Sequence, residues 1–284
     1  MRLLIISLLA SATVAAYAQS GTDIFLVDVK KQKGEFVLGP PRNCTQRPGY
    51  DNQPSFHPQR PWIYYSSFDA QGRADIKRYD WKKKVTVSVT QTTEREYSPT
   101  VTPDGKFLSC IVQRDNGAQD LGKYPIDGGQ PTVIIDHLTV GYHTWINEGA
   151  LLLFVLGEPM TLRWYDVATR KDTVLAASIG RSLHKIPGQA AMSFVQKETA
   201  QHWVVKQLDI TTRQVSDYAE TLPGREDIAW LPDGTLLSSD GDQLFWYDAV
   251  AAQWRPIATP TPLKGITRLA ASADGKKLAV VVAE

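Results

Sequence analysis

From Ala150 to Leu156 the chain is apolar without interruption, and the polar turn Asn147-Glu148-Gly149 separates this run from a shorter strand pattern containing Trp145. The same arrangement of short strand, turn and apolar strand recurs along the chain. It reads PSFHPQRPWIYYSS from Pro54, SPTVTPDGKFLSCIV from Ser98, HTWINEGALLLFVL from His143, SLHKIPGQAAMSFV from Ser182, DIAWLPDGTLLSS from Asp227 and RLAASADGKKLAVVV from Arg268. Aligned on the turn, the six copies fall at Arg60, Gly105, Gly149, Gly188, Gly234 and Gly275, spaced 45, 44, 39, 46 and 41 residues apart. That period is characteristic of four-stranded propeller blades.

The turns have a local cause. Proline presets φ, aspartate bonds its own backbone, and glycine takes the positive φ that a tight hairpin demands. A second signature keeps the same period: a strand ending in aspartate before a polar turn, at Asp80, Asp127, Asp166, Asp209 and Asp248. Its sixth copy is displaced to the other end of the chain, as IFLVDVKKQKGEFVL with Asp28. The pattern therefore predicts an all-β, six-bladed β-propeller. Its last blade is closed by N-terminal strands near Ile24–Val27 and Glu35–Leu38, pairing with a C-terminal hairpin near Arg268–Ser272 and Lys277–Val282. A β-sandwich would also give short, regularly spaced strands, but it does not call for two signatures with one circularly displaced.

The first eighteen residues carry Arg2, an apolar stretch and small residues at Ala16 and Ala18. They read as a secretory signal peptide cleaved after Ala18, which leaves residues 19–284 as a single propeller domain, periplasmic or secreted. No other stretch approaches the ~18 apolar residues of a membrane helix. The balance of 31 basic against 30 acidic residues offers no field for nucleic acid. A monomer without a membrane span is expected. Cys44 and Cys110 are the two cysteines, and both are read as free thiols.

The motifs SPTVTPDGKFLSCIV and DIAWLPDGTLLSS, with the aspartate-ended third strands, resemble the TolB-like propeller repeat of bacterial exported proteins. The resemblance covers the chain beyond the leader. It implies a periplasmic binding or scaffolding module, and it specifies a scaffold rather than a chemistry.

In a propeller, the residues just before each innermost strand converge on one mouth of the central channel. Counting back from a common strand position places Asp51, Asn52, Gln53, Glu96, Tyr97, Ser98, Tyr142, His143, Arg181, Ser182, Arg225, Glu226, Asp227, Thr267 and Arg268 there. Of these, Asn52, Gln53, Glu96, Tyr97, Tyr142, His143, Arg181, Ser182, Glu226, Asp227 and Arg268 form the candidate ligand-binding ring. Tyrosines, a histidine and arginines around a narrow mouth suit a peptide, a protein segment or a small anionic ligand. The competing reading has these groups pair with one another and seal the channel. A third reading, a metal-assisted hydrolase or lyase, would use His143 with Glu226 or Asp227. His184 occupies the strand position held elsewhere by Phe56, Val101, Trp145, Trp230 and Ala271, so it is expected to pack between blades, as are Trp145 and Trp230. Ser182 and His184 lack the spacing of a nucleophile elbow. There is no phosphate loop, H-E-x-x-H or paired-cysteine motif, so no cofactor, metal or catalytic residue is assigned.

Overall fold

The fully apolar strand Ala150–Val155 is buried at every position, and this follows from where its sheet stands. The computed structural model describes residues 21–32 and 34–284, so the leader expected over residues 1–18 lies outside them. The described chain forms six antiparallel sheets, each of four strands or more. Sheets packed on both sides need apolar residues on both faces of their middle strands, which removes the alternation of a half-exposed strand.

Six buried clusters lie between consecutive blades. Tyr64 and Ile76 of the first blade meet Leu108 and Tyr124 of the second, and Ile111 and Leu121 of the second meet Val140 and Leu153 of the third. The fourth blade shows how one strand serves two interfaces. In Ala191–Lys197, Met192 and Phe194 pack toward the third blade, whereas Ala191 and Val195 pack toward the fifth. Tryptophans at the common strand position reach back to the preceding blade: Trp145 Nε1 donates to Ser109 Oγ at 2.9 Å, and Trp230 Nε1 donates to Ser193 Oγ at 2.9 Å.

Closure of the ring takes place in the sixth blade. Strand β1 (Thr22–Gln32) runs antiparallel to the C-terminal strand Lys277–Ala283, with Thr22 opposite Ala283 and Asp28 opposite Lys277. The outer edge of β1 is covered first by β2 (Glu35–Leu38) and then by a short fifth strand, β3 (Arg42–Asn43), which the sequence pattern does not reveal. Ile24, Leu26, Ala279 and Val281 pack against Ile63 and Tyr65 of the first blade. Pairing and covering of these edges removes templates for aggregation.

The turn chemistry behaves as the sequence predicts. Gly105 and Gly275 take φ of +69° and +67°, where a side chain would be strained. Asp209 Oδ1 accepts from the Thr211 and Thr212 amides, and Asp80 Oδ1 from those of Lys82 and Lys83, so the third-strand aspartates close their own turns. Cys44 and Cys110 are free thiols.

Candidate ligand site at the channel mouth

The first strands of the six blades surround a central cavity of about 320 Å³. Its wall includes Gln53, Ser98, Tyr142, His143, Arg181, Ser182, Asp227 and Arg268, with Phe56, His184 and Trp230 toward the opposite face. His184 borders the channel, is partly exposed, and reaches the Ile228 backbone of the fifth blade.

Of the ring read from sequence, the structure brings Tyr142, Arg181, Asp227 and Arg268 together around the mouth. Arg181 grips Asp227 across the fourth and fifth blades, with Nη2 to Oδ2 at 2.6 Å and Nε to Oδ1 at 3.3 Å. Glu226 accepts from the Arg181 amide at 3.1 Å and pairs with Lys197 at 3.1 Å. Arg268, from the sixth blade, crosses to the diametrically opposite third blade. Its Nη2 donates to the Tyr142 hydroxyl at 3.2 Å, and its guanidinium lies 5.2 Å from the Tyr142 ring centroid. This contact lays a bar across the channel. Ser182 is committed to the wall, its Oγ accepting from the Ile228 amide at 3.2 Å.

Two ring members are displaced from the mouth. Glu96 is fully buried within its blade, where its carboxylate accepts from Thr92 at 2.5 Å, Tyr124 at 2.8 Å and Thr90 at 3.1 Å. Burial pushes its pKa above the ordinary carboxylate value, and the three hydroxyls hold that rise back. Asn52 is also buried. It caps the Gln53 amide at 2.7 Å and reaches Thr22 of β1 at 3.4 Å, a stitch between the first and last blades. Tyr97 is only partly buried and packs its ring 6.2 Å from Phe68.

The cause is a register irregularity in the first strand of five blades, between Asn52 and Ser55, Tyr97 and Thr100, Val140 and Tyr142, Ile179 and Leu183, and Ile266 and Arg268. A bulge shifts the phase of the side chains beyond it, so counting residues back from the strand does not tell which of them face the channel. Gln53 and Ser98 sit at two of these irregularities with φ of +58° and +52°. Gln53 Oε1 locks the pair by accepting from the Ser98 amide at 2.7 Å. Backbone held in this region by neighbouring contacts is often found at ligand sites.

The counting also missed Tyr50, which lies one residue before Asp51. Its phenol lies within electrostatic reach of Arg268, Tyr142, Tyr97 and Arg181, and burial pushes its pKa up to about 12, so it remains a neutral donor. The run Tyr50-Asp51-Asn52 offered the signal, just outside the window counted.

His143 is 7% exposed, and its Nε2 lies 2.7 Å from Ser109 Oγ. With no opposite charge to offset it, burial pushes its pKa down to about 3 from an ordinary 6.5. Between these values the unfolded chain binds a proton that the folded one refuses, so stability falls as pH drops below 6.5. Between pH 7 and pH 5 the wild type should lose about 2 kcal/mol relative to His143→Gln, read as the difference between two urea titrations at each pH. A pH-independent difference would contradict this placement.

Among the described residues, no three His, Cys, Asp or Glu side chains come together as metal ligands. The set proposed from sequence, His143 with Glu226 or Asp227, is not assembled: His143 bonds Ser109, and both carboxylates are held by Arg181 and Lys197.

The architecture is a six-bladed, ring-closed β-propeller with a polar and aromatic channel mouth, a fold shared with solved TolB structures. A putative TolB from Agrobacterium tumefaciens superposes with a TM-score of 0.74 at 14% identity, covering 94% of this chain and 99% of that one. TolB from Acinetobacter baumannii gives a TM-score of 0.59 at 14% identity over 93% of this chain and 65% of that one. An oligogalacturonate lyase in complex with manganese gives 0.59 at 12% identity over 94% and 98%. At these identities the likeness is one of fold. No protein-family model and no curated protein sequence matches the chain.

Proposed function

We propose that the protein is an exported, non-enzymatic binding module that takes a protein segment or a small anionic ligand at the channel mouth. The observation that carries this reading is the central cavity of about 320 Å³, at the lower end of ligand-pocket sizes, with aromatic and cationic groups converging at one opening. The apolar leader with Arg2 near its start supports export, and the likeness to TolB structures supports a binding scaffold. A fold neighbour from a nidogen–laminin complex, with a TM-score of 0.64 at 10% identity, is consistent with propellers serving protein recognition.

The test is capture of ligands from a cell-envelope extract by purified wild type, by Tyr142→Ala, and by Val250→Asp on the exposed turn at the opposite rim. Wild type and the Val250 variant should retain the same species, and Tyr142→Ala should lose it while its melting temperature stays within a few degrees. Equal retention by Tyr142→Ala, or no specific capture by wild type, would remove the reading.

A further inference from the structure

The charges at the mouth do not cancel. Arg181 is neutralised by Asp227, and Lys197 by Glu226. Among the described residues, no carboxylate lies within 4.0 Å of Arg268. Its contact through Nη2 is with a neutral phenol, and its Nε is enclosed without any acceptor. A guanidinium does not shed its proton, and a partly buried one without an anion is costly. Arg268 is thus a partly buried cation that borders the cavity with no carboxylate of the protein against it.

On the adjoining wall His143 Nε2 lies 2.7 Å from Ser109 Oγ, and its Nδ1 is enclosed without a partner and without surface toward the cavity. The cavity thus presents the Arg268 guanidinium with no anion of the protein beside it, and a ligand carboxylate supplies one.

We infer that Arg268 anchors the carboxylate of the ligand, and that the ligand is either the C-terminal end of a peptide or a free small carboxylic acid. This rests on the reading that the mouth binds a ligand, and it names the chemical class. Arg268 is the anchoring residue, through the guanidinium that borders the cavity.

Calorimetric titration with three probes tests it: a mixture of N-acetylated tripeptides with free C-termini, the matched C-terminal amides, and lactate. At least one free acid should bind. Amidation should weaken peptide binding on the order of tenfold or more, as should Arg268→Met, with part of the affinity returning in Arg268→Lys. Binding of the peptide acids alone identifies a chain end, and binding of lactate identifies a small acid. Arg268→Met should also match or exceed the wild-type melting temperature in the absence of ligand, because it removes an uncompensated charge. That outcome separates a recognition residue from a structural one. Equal binding of acids and amides, undiminished binding by Arg268→Met, or no binding of any acid would overturn the inference. If the Tyr142-dependent capture described above still holds in that case, the mouth binds a ligand of another class. If both fail, the binding reading itself is wrong.

Discussion

Replacing Leu26 by aspartate should destabilise the protein by more than about 4 kcal/mol, because it deletes a buried leucine and inserts a charge with no partner. Leu26 is 1% exposed, stands opposite Ala279 in the closing sheet, and packs against Ile63 and Tyr65 of the first blade. One substitution thus disturbs both the pairing that closes the ring and the interface that the closure creates. Urea unfolding followed by tryptophan fluorescence should show a large fall in midpoint. Val85→Asp, on an outer strand where Val85 is 51% exposed, should stay within about 0.5 kcal/mol of wild type. Equal midpoints for the two variants would mean that the N-terminal strand is not an integral part of the ring.

Phe194→Ala should cost about 3–5 kcal/mol, by loss of transfer free energy and the cavity left behind. Phe194 is fully buried between the third and fourth blades, in contact with a cluster that includes Leu152, Ile179 and Leu183. Neighbouring Val195 faces the fifth blade, so Val195→Ala should damage a different interface. The two costs should add to within about 0.5 kcal/mol if the clusters are independent.

The blades were legible in the sequence because their causes are local. A turn such as Pro103-Asp104-Gly105 encodes its own geometry in three residues, with Asp104 accepting from Thr102 and from the Lys106 amide. An aspartate such as Asp248 closes its own turn within three residues, onto the Val250 and Ala251 amides. The circular displacement of one signature was enough to predict closure, and the observed strand order, β2, β1, the last strand and its hairpin partner, agrees with it.

The mouth was legible only in outline, because what decides it is not local. Tyr142 and Arg268 are 126 residues apart and meet across the channel. Glu96 looked like a mouth residue, yet hydroxyls from Thr90, Thr92 and Tyr124 draw it into its own blade. Arg181 looked like the ligand's cation, but Asp227 from the next blade claims it and leaves that role to Arg268. Strand irregularities break the count from turn to mouth, so residue type and spacing do not separate Tyr142 from Asn52. The charges of the ring pair with one another on the side of Arg181, and Arg268 on the opposite side meets only the Tyr142 phenol.

The most direct test of a ligand site at the mouth is photo-crosslinking. The variant Thr267→p-benzoylphenylalanine places the probe beside Arg268 at the opening, and the same probe at Val250 lies at the opposite rim, where that residue is 99% exposed. Irradiation in cell-envelope extract, read by mass spectrometry, should give a defined adduct from position 267 that is absent from position 250. Adducts from position 250 alone, or none from position 267, would contradict a ligand site at the channel mouth.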